Sequence, residues 1–410
     1  MSSLEGLKRM PREIWALLFV RFVVSAGGFV MPFLAMMLSI KLGYDEAKAG
    51  AFMFVGTLIA ASGLILGGKL GDTIGRRRTL IVLQLTTVVA FLVCAVLGFR
   101  PMLPFAVAIA LGTLNGSWPC INAIVADVAP PEHLKTAFSL LYWGNNIGFS
   151  VGPLIGGYLF AVAPRGLFLG NAVALILAVL VVFLFVPEPG EKPGARKIEG
   201  ERREMSTFAA MRAEPVLAFY AGLCVLSAFI YAQHTFTLPY FLKDLLGNVQ
   251  GPKAFGTVMA VNGITVVLFT VPMTLLTKRI PLIMGIMLSS MIYIVGFGAY
   301  TFAHGLPFIL GATAFWTLGE ILGATNGNAF VAERAAPSHR ARINAVISAS
   351  YITGSAIAPL AAGFITRAHG TRAVWLPVAG VAAVTTMGYL VLHRYDRRRA
   401  LAKNDAVLAV

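Results

Sequence analysis

The segment at residues 68–78 reads Gly-Lys-Leu-Gly-Asp-Thr-Ile-Gly-Arg-Arg-Arg, with three glycines, one acid and four bases. It is the one sharply polar interruption between residues 49 and 99. The apolar stretches on both sides are each as long as the roughly 20 residues that cross a bilayer. The segment is therefore predicted to be a short polar loop that connects two transmembrane helices.

The composition of the whole chain extends this prediction. Hydrophobic residues make up 58% of the sequence and charged residues 12%, whereas roughly a quarter of a soluble domain is charged. Twelve apolar stretches follow one another, centred near residues 26, 60, 89, 114, 150, 176, 228, 266, 290, 318, 352 and 382. The fold class is therefore predicted to be an all-α membrane protein with twelve transmembrane helices, and a soluble globule is excluded.

The net charge of +15 is distributed unevenly along the chain. We assign 24 of the 33 lysines and arginines to the side of both termini and 8 to the opposite side, with Arg21 inside a span. Because basic loops stay in the cytoplasm, both termini are predicted to be cytoplasmic in a multi-pass protein of the cell membrane, a bacterial inner or plasma membrane. The basic excess then indicates contact with anionic membrane lipids and no nucleic acid.

The chain repeats itself at an offset of 206 residues. Asn-Ala-Ile-Val-Ala-Asp at 122–127 aligns with Asn-Ala-Phe-Val-Ala-Glu at 328–333. The frame continues without gaps to Gly157 over Gly363. A six-span unit duplicated in one orientation explains this pattern and predicts two pseudo-symmetric six-helix bundles.

The only long polar segment lies between the two halves. Residues 1–186 are predicted to form an N-terminal six-helix bundle, 187–214 a cytoplasmic linker, and 215–410 a C-terminal six-helix bundle with a basic cytoplasmic tail. Within the linker, residues 201–212 form either a short amphipathic helix on the membrane surface or part of a flexible, mixed-charge chain.

The opening segment carries a family signature. The chain resembles the major facilitator superfamily, whose loop between the second and third helices reads G-x-L-x-D-x-x-G-R-[RK], at Gly68, Leu70, Asp72, Gly75, Arg76 and Arg77. The resemblance covers residues 12–393 and is greatest to the twelve-helix, proton-coupled multidrug exporter branch.

This resemblance implies a cytoplasmic gate. Arg76 is predicted to reach Asp127 at the end of the fourth span, and such ties would hold the cytoplasmic side closed until the protein opens inward. The predicted gate comprises Gly68, Asp72, Gly75, Arg76, Arg77 and Asp127. The alternative is that the basic residues only anchor the topology.

The fifth span contains a second signature. It resembles the exporter pattern G-x-x-x-G-P-x-x-G-G and points to export by antiport, at Gly148, Gly152, Pro153, Gly156 and Gly157. The alternative is ordinary close packing, because small residues on one face let two helices approach each other.

Proton coupling is expected at charged groups inside the spans. Many related exporters have an arginine in the fourth span, whereas residues 111–116 here contain no base. Arg21 in the first span either takes that role or extends to the inner interface. Glu320 is the only acid near the middle of a span, and a buried carboxylate must be paired or protonated. His234 either relays protons or is a hydrogen-bonded packing residue.

The presumed cavity helices offer an aromatic and amide-rich set of side chains. Such a set favours an amphiphilic or lipophilic substrate, and its predicted members are Phe33, Asn115, Trp118, Tyr142, Trp143, Asn146, Tyr231, Gln233, Tyr240, Asn262, Trp316, Asn326 and Tyr351. The three cysteines fall inside spans without metal-ligand spacing. We therefore expect no metal, no cofactor and no enzymatic site.

These observations predict a monomeric secondary active transporter. The resemblance implies a proton-coupled exporter of amphiphilic or lipophilic small molecules that works by alternating access, with protons and substrate as its partners. The alternatives are a proton-coupled importer of a small metabolite and a lipid or lysolipid translocase on the same fold.

Overall fold

The computed structural model describes residues 10–130, 133–188, 211–212, 214–335 and 340–408. Over these ranges the protein is helical and contains no strand. The twelve helices are α1 (Arg12–Ala26 and Val30–Met36, ending in a π-helical turn at Met37–Lys41), α2 (Glu46–Ile74), α3 (Arg76–Leu97), α4 (Leu103–Val128), α5 (Leu134–Val162), α6 (Gly166–Phe185), α7 (Pro215–Ala232 and 237–246), α8 (248–277), α9 (Leu282–Ala299), α10 (Leu306–Arg334), α11 (Arg340–His369) and α12 (Trp375–Leu408).

Helix length and hydropathy identify a multi-pass membrane protein. Ten described segments are long and apolar enough to cross a membrane, and the longest, Pro215–Thr277, contains both α7 and α8. The break between them is Gly247, whose φ of 82° is the left-handed conformation that glycine adopts readily. With the 29-residue helix α5, which exceeds the length of a span, the described residues make the twelve crossings that the sequence predicts.

The polar segment at residues 68–78 is more helical than predicted. Helix α2 continues through Ile74 and α3 begins at Arg76, so Gly75 alone leaves the helical conformation, at a φ of 99°. A helix satisfies its own backbone hydrogen bonds, which explains why polar side chains at the end of a span do not unwind it. The prediction of a loop over the whole segment is therefore wrong.

The described residues form two compact units. The first is drawn from Met1–Glu199 and Leu238–Ile264, and the second from Gly200–Thr237 and Thr265–Val410. Most of the linker lies outside the described residues, so the amphipathic helix at 201–212 and the exact bundle boundaries stay predictions.

The helix packing repeats between the units. In the first unit α1 packs on α5 and α6, and α3 packs on α4 and α6. In the second unit α7 packs on α11 and α12, and α9 packs on α10 and α12. Each pair in the second unit has the helix numbers of a pair in the first unit plus six, as expected for two six-helix bundles with one fold.

Candidate functional site

A cavity of about 420 Å³ lies inside the second unit. Its described walls come from α7, α9, α10, α11 and α12. They include five tyrosines, which are Tyr220, Tyr231, Tyr293, Tyr351 and Tyr389. Serine and asparagine side chains add further oxygen atoms, at Ser227, Ser289, Ser290, Asn328, Asn344 and Ser348. The described lining contains one carboxylate, Glu320, and no lysine, arginine or histidine.

Glu320 stands at the centre of the 29-residue helix α10. The hydroxyl group of Tyr231 donates a hydrogen bond to its Oε1 atom at 2.8 Å. Gly323 and Ala324 follow within about one turn and also line the cavity, so the wall beside the carboxylate is built from small residues. A carboxylate at this depth needs a proton, a paired cation or hydrogen-bond donors.

Trp316 lies behind this wall and does not line the described cavity. Its side chain is fully buried, its Nε1 atom donates to Tyr300 Oη at 2.7 Å, and its ring stacks on Phe297 at 5.1 Å. These contacts fix the turn of α10 that precedes Glu320. Trp316 was predicted to line the substrate cavity. In the structure it instead supports the wall from behind and is not among the lining residues.

The side chains of Gln233 and His234 form their hydrogen bonds at the break in α7. The helix stops at Ala232 and resumes at Thr237. Gln233 Nε2 donates to the carbonyl oxygen of Phe229 at 3.3 Å, and His234 Nδ1 lies 2.5 Å from the carbonyl oxygen of Tyr231. Because a break leaves carbonyl groups without their helical partners, the Gln233 side chain supplies a donor near the break, whereas the Tyr231 carbonyl oxygen also accepts from the backbone N–H of His234 at 3.2 Å. The side-chain hydrogen bond of His234 is the one expected if His234 is a packing residue, the alternative to a proton relay.

Arg21 occupies a buried site in the first unit and is 9% exposed. Its Nη2 atom donates to Asn122 Oδ1 at 2.8 Å, and its guanidinium carbon lies 3.7 Å from the centre of the Trp118 ring. A cation over an aromatic face gains about 2 kcal/mol when it is desolvated. Arg21 is thus held by an amide and an aromatic ring from α4.

Asp72, Gly75, Arg76 and Asp127 of the predicted gate lie together where α2 and α4 end and α3 begins. Arg76 pairs with Asp127, and its Nη1 atom also donates to the carbonyl oxygen of Ala123 at 3.3 Å. Asp72 lies 4.0 Å from Arg76 and remains largely exposed. These contacts all lie within the first unit, so they join the ends of three helices.

Glu188, which follows α6, completes this cluster and was missed in the sequence. Its two carboxylate oxygens accept hydrogen bonds from the backbone N–H groups of Arg77 and Arg78 at 3.1 and 3.2 Å. A carboxylate at the first turn of a helix interacts favourably with the helix dipole. Gly75 gives it room, because a Cβ atom there would lie 2.7 Å from Glu188.

A second missed ion pair lies in the second unit, between the last residue of α10 and a residue in the second half of α12. Arg334 pairs with Asp396 through both guanidinium nitrogens, with Nη2 and Oδ2 2.6 Å apart. The signal was present as a base and an acid near the ends of two spans. Their pairing depends on tertiary contact, which a single sequence does not give.

The glycines of α5 face two neighbouring segments. A Cβ atom at Gly148 would lie 2.5 Å from the carbonyl oxygen of Phe22. The same atom at Gly157 would lie 2.6 Å from the carbonyl oxygen of Pro252, and Gly152 and Gly156 likewise contact α1. The stripe therefore brings backbones close together on both sides of α5, around Pro153.

The other predicted cavity residues are distributed through both units. Tyr231 and Tyr351 line the cavity of the second unit. Phe33, Tyr240, Asn262 and Asn326 are buried, Tyr142 and Trp143 are exposed, and Asn115 and Asn146 donate to carbonyl oxygens one turn earlier in their own helices.

The walls from α9 and α12 were not expected to line a cavity. In the apolar sequence of α9, the side chains of Ser289, Ser290 and Tyr293 are the polar ones, and all three line it. This clustering of hydroxyl groups in an otherwise apolar helix is the signal that could have found them.

Comparison with protein families gives one family. The model described as "Major Facilitator Superfamily" matches residues 17–252 and 248–407. A relative named "Na(+), Li(+), K(+)/H(+) antiporter", from Planococcus maritimus, is 26% identical over 405 residues, which cover 92% of this chain and 95% of the relative. "Multidrug efflux protein YfmO", from Bacillus subtilis (strain 168), is 26% identical and covers 94% of each chain.

Solved structures share the architecture. A POT family transporter in complex with a thioalcohol-conjugated peptide superposes with a TM-score of 0.77 at 15% identity, over 95% of this chain and 99% of that chain. At that identity the likeness establishes the fold alone.

Proposed function

Since this chain belongs to the major facilitator superfamily, we propose that it is a proton-coupled exporter of amphiphilic, positively charged small molecules that works by alternating access. The observation that carries the proposal is a single carboxylate, Glu320, in a cavity whose described lining has no base. Secondary transporters of this kind use an ion gradient, and a carboxylate that exchanges a proton for a cation couples the two movements.

The charge of the lining selects the substrate. An anion would face the Glu320 carboxylate without a compensating base, and like charges repel strongly where water is scarce. A cation replaces the proton on this carboxylate, and the tyrosine rings offer faces that attract positive charge. Proton and substrate therefore exclude each other at Glu320, which is the condition for antiport.

The relatives support the direction of transport. One is named a multidrug efflux protein and another a cation/proton antiporter. Export by exchange with protons agrees with both names. We propose a cell membrane as its location, with both termini in the cytoplasm, on the basis of the distribution of basic residues in the sequence, and a monomer as its working form.

An alkali-cation/proton antiporter is the second candidate. The hydroxyl and amide oxygens that accompany Glu320 in the lining are hard ligands of the type that alkali ions accept. The antiporter of Planococcus maritimus gives the same indication through its name. The two candidates share the proton site and differ in the cation.

Reconstitution tests the proposal. Purified protein in vesicles with an acidic lumen should take up ethidium and release luminal protons, which an enclosed pH dye reports. Glu320→Gln should lower uptake at least tenfold without loss of folding. Glu333→Gln, on an exposed position of the same helix, is the matched control and should transport normally.

The outcomes separate the candidates. Proton release driven by Na⁺ or K⁺ and not by ethidium favours the alkali-cation antiporter. A well-folded Glu320→Gln protein with normal uptake driven by the pH gradient removes Glu320 from the mechanism and contradicts both.

A further inference from the structure

The internal repeat presents the same helical segment twice, once in α4 and once in α10. In the 206-residue frame Asn122 corresponds to Asn328, and the residues one turn earlier are Trp118 and Ala324. The alternation of buried and exposed positions along 120–126 is repeated along 326–332. Both asparagines are exposed positions between pairs of buried ones, so the two helices present this face in the same rotation.

In the first unit a charged group from the chain itself occupies the space beside this segment. The guanidinium carbon of Arg21 lies 3.7 Å from the centre of the Trp118 ring, and the group donates to the side-chain amide oxygen Oδ1 of Asn122 at 2.8 Å. Among the described residues, an amide oxygen and an aromatic ring hold this cation. The arrangement shows that an asparagine and an aromatic ring on this helix face can hold a guanidinium group.

In the second unit the corresponding segment borders the cavity. Ala324 stands where Trp118 stands in the first unit, and both Ala324 and Asn328 line the cavity of about 420 Å³. Glu320 lies one turn before Ala324, and tyrosine rings from α7, α9 and α11 complete the lining. An asparagine, a carboxylate and aromatic rings therefore line this open space.

We propose that this cavity binds a planar nitrogen cation, a guanidinium or amidinium group, in the place that corresponds to the Arg21 side chain. Such a group carries its positive charge together with several N–H donors in one plane. It donates to Asn328 Oδ1 while its face lies against tyrosine rings, and the Glu320 carboxylate, about two turns earlier on α10, balances its charge across the cavity. This inference names the substrate class of the proposed exporter and rests on that function.

The exchange balances in charge and protons. With Glu320 protonated the described lining is neutral, because its other titratable groups are the five tyrosines. When the cation binds, the carboxyl proton leaves to water and the cation takes its place. The Tyr231 hydroxyl keeps its hydrogen bond to Oε1, and the negative charge of the carboxylate is balanced by the cation in the same cavity.

Two probes of equal charge and similar size test the inference. Phenylguanidinium offers N–H donors, whereas phenyltrimethylammonium offers a charge without donors. Binding to the purified full-length protein at one fixed pH, measured by calorimetry, should be at least tenfold tighter for phenylguanidinium. Uptake into vesicles with an acidic lumen should show the same order.

The preference for phenylguanidinium should depend on the side chain of Asn328. Asn328→Leu should bring the two probes to within about twofold of each other. Asn344→Leu replaces the other asparagine of the cavity, on a different helix, and should keep the tenfold preference. Equal binding of both probes by the unaltered protein overturns the inference whether or not the variants fold, and so does an unchanged preference in a folded Asn328→Leu protein.

The result also distinguishes this inference from the function on which it rests. If both probes are taken up equally, and uptake depends on Glu320 and the pH gradient, the proposed exporter stands and the guanidinium preference is wrong. If phenylguanidinium binds with the predicted preference but no pH gradient drives its uptake, the site stands and the proton-coupled function is wrong.

Discussion

The spacing between α1 and α5 depends on a glycine whose replacement has a calculable effect. A Cβ atom at Gly148 would lie 2.5 Å from the carbonyl oxygen of Phe22 and 2.7 Å from the Cβ atom of Ser25. Non-bonded heavy atoms reach their optimal separation at about 3.5–4.0 Å. Gly148→Ala therefore requires the two helices to separate by about 1 Å.

Two opposing terms determine the stability of this variant. Inserting a methyl group into a packed interface costs about 1–3 kcal/mol, whereas replacing glycine by alanine in a helix gains about 0.8–1 kcal/mol. Gly222→Ala in α7 isolates the second term, because no atom lies within 4 Å of a Cβ atom placed there. We expect Gly148→Ala to be about 1–3 kcal/mol less stable than Gly222→Ala.

The buried cysteines provide the assay. Cys94, Cys120 and Cys224 are free and buried, so a thiol-reactive dye labels them only as the protein unfolds on heating. Each kcal/mol corresponds to about 2–4 °C in a unit of this size, so the two midpoints should differ by several degrees. If both variants unfold at the same temperature, the reasoning that Gly148 fixes this spacing is refuted.

Three further predictions concern charges and topology. Tyr231→Phe removes the hydrogen bond to Glu320, and a hydrogen bond to a charged group contributes about 1.5–3 kcal/mol. Calorimetry should therefore show at least tenfold weaker cation binding. Unchanged affinity would contradict the role of Tyr231 in stabilising the Glu320 carboxylate. Asp127→Asn removes the partner of Arg76, a half-buried pair to which we assign about 1 kcal/mol, so the midpoint of thermal unfolding, followed by cysteine labelling, should fall by about 2–4 °C, against no change for Glu333→Gln. Epitope tags at both termini should be accessible only from the cytoplasm, and labelling of either from outside would reject the topology.

Much of the fold was predictable because a bilayer leaves the backbone few options. Apolar segments of about 20 residues must be helical to satisfy their own hydrogen bonds, so length and hydropathy alone gave twelve crossings. The repeat at 206 residues then predicted the two bundles. Arg76 was predicted to reach Asp127 because the family signature contains Arg76 and because Asp127 lies at the cytoplasmic end of the fourth span, and the two residues form an ion pair.

The cavity was less predictable, for a physical reason. In a soluble helix the apolar face identifies the core, whereas in a membrane the faces toward lipid and toward neighbouring helices are both apolar. Hydropathy therefore does not reveal which way Trp316 or Asn326 points. Trp316 proved to be part of an aromatic core, and Tyr389 of α12, a helix not considered, lines the cavity.

The break in α7 shows a related limit of the sequence. Its polar residues Gln233 and His234 suggested a substrate or proton site, because polar groups inside a span are costly. Their hydrogen bonds go to carbonyl oxygens of the preceding turn. A helix break creates its own demand for polar side chains, and a single sequence does not distinguish that demand from a functional one.

The two units share one pattern of helix packing, but they contain groups of opposite charge. The first unit buries the cation of Arg21 against α4, and the second exposes the carboxylate of Glu320 to a cavity beside α10. A duplicated fold preserves the helix contacts that stabilise both copies, while single side chains such as Trp118 and Ala324 decide whether the space beside the helix is filled or open. Because Arg21 is covalently part of the chain, the first unit cannot release its cation. The second unit has the same helix face, a carboxylate on that helix where the first unit has a base on a neighbouring helix, and room for a ligand. These are the properties that a site must combine to bind a cation and release it again.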